Sequence, residues 1–136
     1  MVEAVKNNLC PCGSQRIISQ CCEPIILGTE DAPTAEALMR SRFVAFTKAD
    51  ITYLMKSHHS TTRPIKDKKN MERWAKSVQW MGLVILGTEA GQEKDNRGMV
   101  EFRALYLENG ELQQIHEKSK FEKENGKWAY VSGVHY

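Results

Sequence analysis

The 136-residue chain is long enough for one compact domain with a small appendage, and its 41% hydrophobic and 26% charged residues are those of an ordinary globular protein. A net charge of +2 gives no electrostatic case for nucleic acid, and the longest apolar run, "WMGLVILG", is far too short to cross a bilayer. The opening "MVEAVKNNLC" lacks the apolar stretch of an export signal, so the expected location is the cytoplasm.

All four cysteines fall within "CPCGSQRIISQCC", as Cys10, Cys12, Cys21 and Cys22. A reducing compartment disfavours disulfides, and the adjacent Cys21 and Cys22 cannot bridge each other without strain. Four thiolates around one zinc ion fit better, because zinc accepts tetrahedral sulfur donors and imposes no geometry from its d electrons. Pro11 stiffens the first pair and Gly13 permits a tight turn. Ser14 is then expected to cap a short helix, Gln15 to Gln20, that delivers the second pair. Only Ile17 and Ile18 are apolar between the pairs, so metal binding would supply the folding energy of the segment. Four sulfurs leave no position for water, which makes the zinc structural and not catalytic.

Pro24 and "LGTEDAPT" are expected to form a linker out of this segment. Thr34 then caps a helix with Glu36 in its first turn, placing Ala35, Leu38, Met39, Phe43 and Phe46 on one face. Asp50 opens a second helix with the face Ile51, Leu54, Met55 and His58. Asp67 opens a third with Met71, Trp74, Ala75 and Val78. The basic stretch "RPIKDKKNMERWAK" is interrupted by Asp67 and Glu72 and is expected to be a solvated helix face.

The second half changes period. "QWMGLVILGTEA" is a strand, "GQEKDNRG" a loop, and the two "ENG" signatures are two-residue Asn-Gly hairpin turns. That register sets Leu107 against Leu112, Phe102 against Glu117 and Phe121 against Tyr130. One sheet face then holds Val100, Phe102, Ala104, Tyr106, Ile115, Phe121, Trp128 and Tyr130. The other is mainly charged. Helices followed by an antiparallel sheet with one apolar face make an α+β fold.

The register leaves Glu117 and Ser119 on the apolar face, where an ionised carboxylate needs a partner. The helix wheel turns Arg42 inward and Arg40 away. The expected partnership is therefore Arg42 with Glu117, with His58 or His59 nearby. The candidate pocket comprises Arg42, His59, Phe102, Glu117, Ser119, Phe121, Trp128 and Tyr130. Trp74, Trp80 and Trp128 are expected in the core, and His116 and His135 have no supporting context.

"CPCGS" followed by "CC" resembles the SEC-C motif, a zinc-binding segment. "APTAEALMRSRFVAF", "DITYLMKSHH", "STTRP" and "HEKSKFEKENGKWAYVSG" resemble the bacterial YchJ family. The resemblance implies a SEC-C segment, residues 1–26, joined to an NTF2-like domain, residues 27–136, in which helices close over a curved sheet and leave a pocket. It sets His59 at the histidine position of the family. It also makes a homodimer an expectation, because sheets of this fold commonly pair.

Three functions are weighed. The first is a non-enzymatic binding or adaptor protein, with a closed zinc site and a protein or small-molecule partner; no Ser, Cys or Thr stands in an activating context. The second is a small hydrolase- or isomerase-type enzyme using Glu117 as general acid or base, with His59 and Arg42 as helpers. Association with nucleic acid or the ribosome ranks last, since "QRIISQ" offers only Arg16.

Overall fold

The computed structural model describes residues 8–136. Its helices are α1 (Cys22–Leu27), α2 (Ala35–Thr47), α3 (Ile51–Lys56) and α4 (Lys68–Ser77), with short 3₁₀ turns at Ile18–Gln20 and Ile65–Asp67. The strands β1 (Gln79–Ala90), β2 (Arg97–Glu108), β3 (Glu111–Glu124) and β4 (Lys127–His135) form one antiparallel sheet in sequence order. Among the described residues, no helix is long and apolar enough to cross a membrane.

The helix starts follow their caps. Thr34 Oγ1 accepts from Ala37 N at 3.1 Å and Asp50 Oδ1 accepts from Tyr53 N at 3.0 Å, each satisfying an otherwise orphaned donor. Asp67 makes no such bond at the start of α4. The helix expected at Gln15–Gln20 is absent. Gln15 takes a left-handed φ of +67°, Ser14 caps nothing, and residues 8–18 fold back as a small antiparallel loop with Leu9 bridged to Ile17. The reason is convergence: two turns close together bring Cys10 and Cys12 towards Cys21 and Cys22, which a straight helix over 15–20 would hold apart. Pro24 is correspondingly not in the linker but in the first turn of α1, where a missing N–H costs nothing. That helix runs across the expected boundary between residues 26 and 27.

Both Asn-Gly turns form, with Asn109 and Asn125 at φ +53° and their glycines at +80° and +78°. Leu107 faces Leu112, Phe102 faces Glu117 and Phe121 faces Tyr130. Beyond Tyr130 the strand carries one extra residue. Phe121 pairs with Tyr130 but Lys120 pairs with Ser132, which leaves Val131 as a bulge. Side chains alternate, so every β4 residue past Val131 faces the opposite way from a plain register. Gly133 now stands opposite Ser119, and His135 opposite Glu117.

The core is α2 on the sheet: Leu38, Met39 and Phe43 pack against Val100, Phe102, Ala104, Phe121 and Trp128. The N-terminus of α2 is fixed by Ala35 N donating to Gly91 O at 2.9 Å. Gly91 in turn lies against Gly98, where an added Cβ would sit 2.7 Å from Gly91 N and collide with Gly91 Cα. Backbone cannot yield as a side chain can. Gly98→Ala is therefore expected to cost about 2 kcal/mol in urea denaturation, whereas unchanged stability would show that the loop moves freely off the sheet.

Candidate functional site

Two clusters carry chemistry. The first is the cysteine knot at the N-terminal end. One Sγ from each of Cys10, Cys12, Cys21 and Cys22 lies within 4.8 Å of the others, all four are free thiols, and Cys10, Cys12 and Cys22 are buried. Sulfur donors about 2.3 Å from a tetrahedral metal are about 3.8 Å apart, and here Cys12 to Cys21 is 3.7 Å and Cys21 to Cys22 is 3.9 Å. The donor set therefore fits one thiophilic metal ion.

Electrostatics point the same way. Hydrogen bonds from the Cys10 and Cys22 thiols hold Cys12 far below the usual thiol range, while Cys10 is pushed up to about 11 by its bond with Cys12. Cys22 is raised by both neighbours. Four thiolates this close cannot all ionise unless a cation is shared among them. Ser14 Oγ lies 3.1 Å from Cys21 Sγ.

Arg40, which the helix wheel turns away from the core, points here. Its Nη1 donates to Cys12 O at 2.7 Å and lies 3.9 Å from Cys12 Sγ, while its Nε donates to Glu36 at 2.9 Å. With Val44 packed against Cys10, Cys12 and Cys22, the knot is docked on α2 and does not swing free. Sequence reasoning missed Arg40 because an outward-facing arginine normally meets only water.

The second cluster lies between α2, α3, α4 and the concave sheet face. A cavity of about 280 Å³ opens there. Phe43, Phe46, Trp74, Trp80 and Phe102 make much of its wall. Trp80 meets Phe43 and Trp74 edge-to-face, with centroids 5.8 and 5.3 Å away. Of the three tryptophans expected in the core, Trp74 and Trp80 thus border a space, and Trp128 is buried in the core.

Polar groups enter this wall at one end. Glu117, only 6% exposed, accepts from Ser119 Oγ, and from Tyr130 OH at 2.8 Å, on Oε2; His135 Nε2 lies 3.2 Å from Oε1. The direct Arg42–Glu117 pair expected from the sequence does not form. Tyr130 stands between them, its hydroxyl on Glu117 and its ring 4.7 Å from the Arg42 guanidinium carbon. Arg42 is 4% exposed and gives its Nη1 to Leu54 O at 2.8 Å and Ser57 Oγ at 2.7 Å. Burial pulls it down to about 10, and it remains charged at neutral pH. Burial and Glu117 raise the Tyr130 phenol, which stays a donor.

Of the candidate pocket residues, Arg42, Phe102, Glu117 and Tyr130 line the cavity. Phe121 and Trp128 are packed beneath it in the core, and Ser119 reaches it only through Glu117. His59 does not enter. Its Nδ1 is 2.8 Å from Thr61 Oγ1 and 3.8 Å from Glu124, away from the cavity, and its backbone N–H is bonded to Tyr130 O at 2.7 Å. His58 takes the inward position instead, as the face Ile51, Leu54, Met55 and His58 implies. His135 was missed, since only the bulge at Val131 turns it to Glu117.

His58 has a defined tautomer. Thr62 Oγ1 gives its proton to Val131 O at 2.6 Å, so His58 Nε2, 3.1 Å away, is the donor and Nδ1 is bare. Nδ1 is buried without a partner. Burial, then the Arg42 and Arg63 charges, lower His58 to about 4. The unfolded chain therefore binds this proton from pH 6.5 downward while the folded protein refuses it until about pH 4. Stability is complete above pH 6.5 and falls through that window by up to about 3 kcal/mol. An NMR titration of the imidazole is expected to give a midpoint near 4, and a midpoint near 6.5 would mean the ring is solvated.

A family model described as the middle NTF2-like domain of YchJ matches residues 34–133. The chain is 43% identical over 126 residues to the UPF0225 protein GSU1048 of Geobacter sulfurreducens, covering 93% of this chain and 78% of that protein. It is 39% identical over 128 residues to the UPF0225 protein YchJ of Shigella dysenteriae, covering 94% and 84%. In three dimensions it is similar to the SEC-C motif-containing protein RPA3114 of Rhodopseudomonas palustris, with a TM-score of 0.84 at 33% identity over 93% of this chain and 98% of that one. A SEC-C motif-containing protein of Psychrobacter arcticus gives 0.77 at 27% identity, over 97% and 84%.

Proposed function

Because the chain belongs to the YchJ family, in which a SEC-C segment precedes an NTF2-like domain, we propose that it is a non-enzymatic binding protein. One structural zinc holds the cysteine knot against α2, and the cavity beneath α2 receives a small molecule. Zinc is preferred because an all-sulfur tetrahedron suits it, and elemental analysis separates it from iron, the other metal such a set accepts. Bound there, the ion has no open coordination position and supplies folding energy, not chemistry.

The observation that carries the binding reading is the cavity itself: aromatic walls with a few convergent polar groups at one end are the usual form of a ligand site. A fragment library followed by two-dimensional NMR tests it. Saturable shifts confined to the residues around Phe102 and Tyr130 are expected. They should disappear in Ala104→Leu, which fills the cavity from the sheet. No saturable shift in the unaltered protein would remove the reading.

One observation favours an enzyme as the second reading. A buried carboxylate flanked by a tyrosine hydroxyl and a histidine, as Glu117 is by Tyr130 and His135, is an arrangement that can move a proton. Its test is turnover lost in Glu117→Gln with ligand affinity retained.

A further inference from the structure

The polar end of the cavity is unbalanced, and the imbalance says what kind of molecule fits. Glu117 has its needs met: Oε2 accepts from Ser119 and Tyr130, and Oε1 faces His135. Arg42 does not. Both of its hydrogen bonds leave from Nη1, and its Nε and Nη2 donors have no acceptor among the described residues. Those nitrogens are not sealed off either, since the single fully enclosed side-chain polar atom without a partner among the described residues is His58 Nδ1. Arg42 borders the cavity, and its two unused donors are the ones left for a molecule bound there.

The Nε and Nη2 hydrogens form the side-on fork of a guanidinium, two parallel donors spaced to meet both oxygens of one carboxylate. Tyr130 covers one face of the same group at 4.7 Å and fixes its plane. The other cavity-lining bases add no competing charge near the fork: His58 is a neutral Nε2–H tautomer bonded to Thr62, and His135 is 67% exposed and engaged with Glu117. Away from the fork the wall is aromatic, with Trp74, Trp80, Phe43 and Phe46 offering both edges and faces. At about 280 Å³ the space lies at the small end of ligand sites, enough for one or two fused rings.

We propose that the cavity binds a small aryl carboxylate, its acid held side-on by Arg42 Nε and Nη2 and its ring system packed among Phe43, Phe46, Trp74 and Trp80. This rests on the reading of the cavity as a ligand site and names the chemistry of the ligand. Glu117 sets the polarity from the other side. It repels a second acid and so fixes which end of the molecule enters first.

Three probes of one shape decide it in the full metal-loaded chain: 2-naphthoate, 2-naphthamide and 2-naphthylmethylamine, compared by isothermal titration calorimetry at pH 7. The acid is expected to bind at least tenfold more tightly than the amide, and the amine least. Arg42→Lys, which keeps the charge and loses the fork, is expected to reduce the acid-over-amide preference to less than threefold. Equal binding of acid and amide would overturn the proposal while leaving the ligand site standing. Preference for the amine would overturn it too, making Glu117 the anchor. Failure of all three to bind would overturn both. The comparison of probes needs only the unaltered protein, so a variant that fails to fold does not spoil it.

Discussion

Cys12→Ser is expected to lower bound metal from one ion per chain to almost none, and to lower the melting temperature of the domain with it. Cys12 is fully buried among the four sulfurs, and serine offers a hard, rarely ionised oxygen where a thiophilic metal takes thiolate. Structural zinc binds model peptides with an apparent free energy of roughly 10–16 kcal/mol, and for the ion proposed here most of that would go into holding the knot itself. The fraction felt by the domain comes through α2. Arg40 loses Cys12 O as an acceptor and Val44 loses its cover when the knot opens. A cost near 3 kcal/mol corresponds to a fall of about 10 °C for a domain of this size. Elemental analysis with scanning calorimetry measures both, and a chelator added to the unaltered protein should reproduce the melt. Unchanged metal content and melting would refute the four-sulfur site. A lost metal with an unchanged melt would show that the knot is carried passively.

Arg42→Met is the second large effect, at about 3 kcal/mol of stability lost. Methionine keeps the apolar stem of the side chain but leaves Leu54 O and Ser57 Oγ without the donor that closes the end of α3. It also removes the buried positive charge that stands behind Tyr130 from Glu117. Replacing a whole buried ionic network by apolar groups is often harmless; removing one member while the others stay is not. Arg40→Met is the control two residues away. Arg40 is partly exposed and its Glu36 pair is worth little, so the expected cost is about 1 kcal/mol. Urea denaturation of the two variants should place Arg42 well ahead. Equal costs would mean that the buried arginine is dispensable to the fold.

The sheet and α2 were legible because each rests on a local rule. Two Asn-Gly turns fix strand register by counting, and Thr34 and Asp50 announce the helices that they cap. The cysteine knot was legible as a donor set but not as a path. A helix from Gln15 to Gln20 satisfied the pattern, while the observed left-handed Gln15 answers to where the sulfurs must meet, which no local preference encodes. At the cavity, periodicity chose better than positional resemblance. The apolar stripe of α3 leads to His58, whereas the family position led to His59, which turns away from the cavity towards Thr61 and Glu124. The Arg42–Glu117 pair was half right. Facing was readable from the wheel and the register, but the insertion of Tyr130 between them depends on how far α2 stands off the sheet, a distance set by packing.

The extra residue at Val131 divides β4 into two halves that answer to different constraints. The half nearest the hairpin, with Trp128 and Ala129, is tied to the core. The half beyond the bulge is offset by one position and brings His135 to the cavity on an independent count. Substitutions at positions 133 to 135 can therefore revise what stands beside Glu117 without disturbing the packing laid down a few residues earlier. Removing Val131 would erase the bulge yet keep His135 opposite Glu117, because Ser132 would then follow Tyr130 directly and still face Lys120. A one-residue change in length beyond Val131, and not at it, is what would give the carboxylate a different partner.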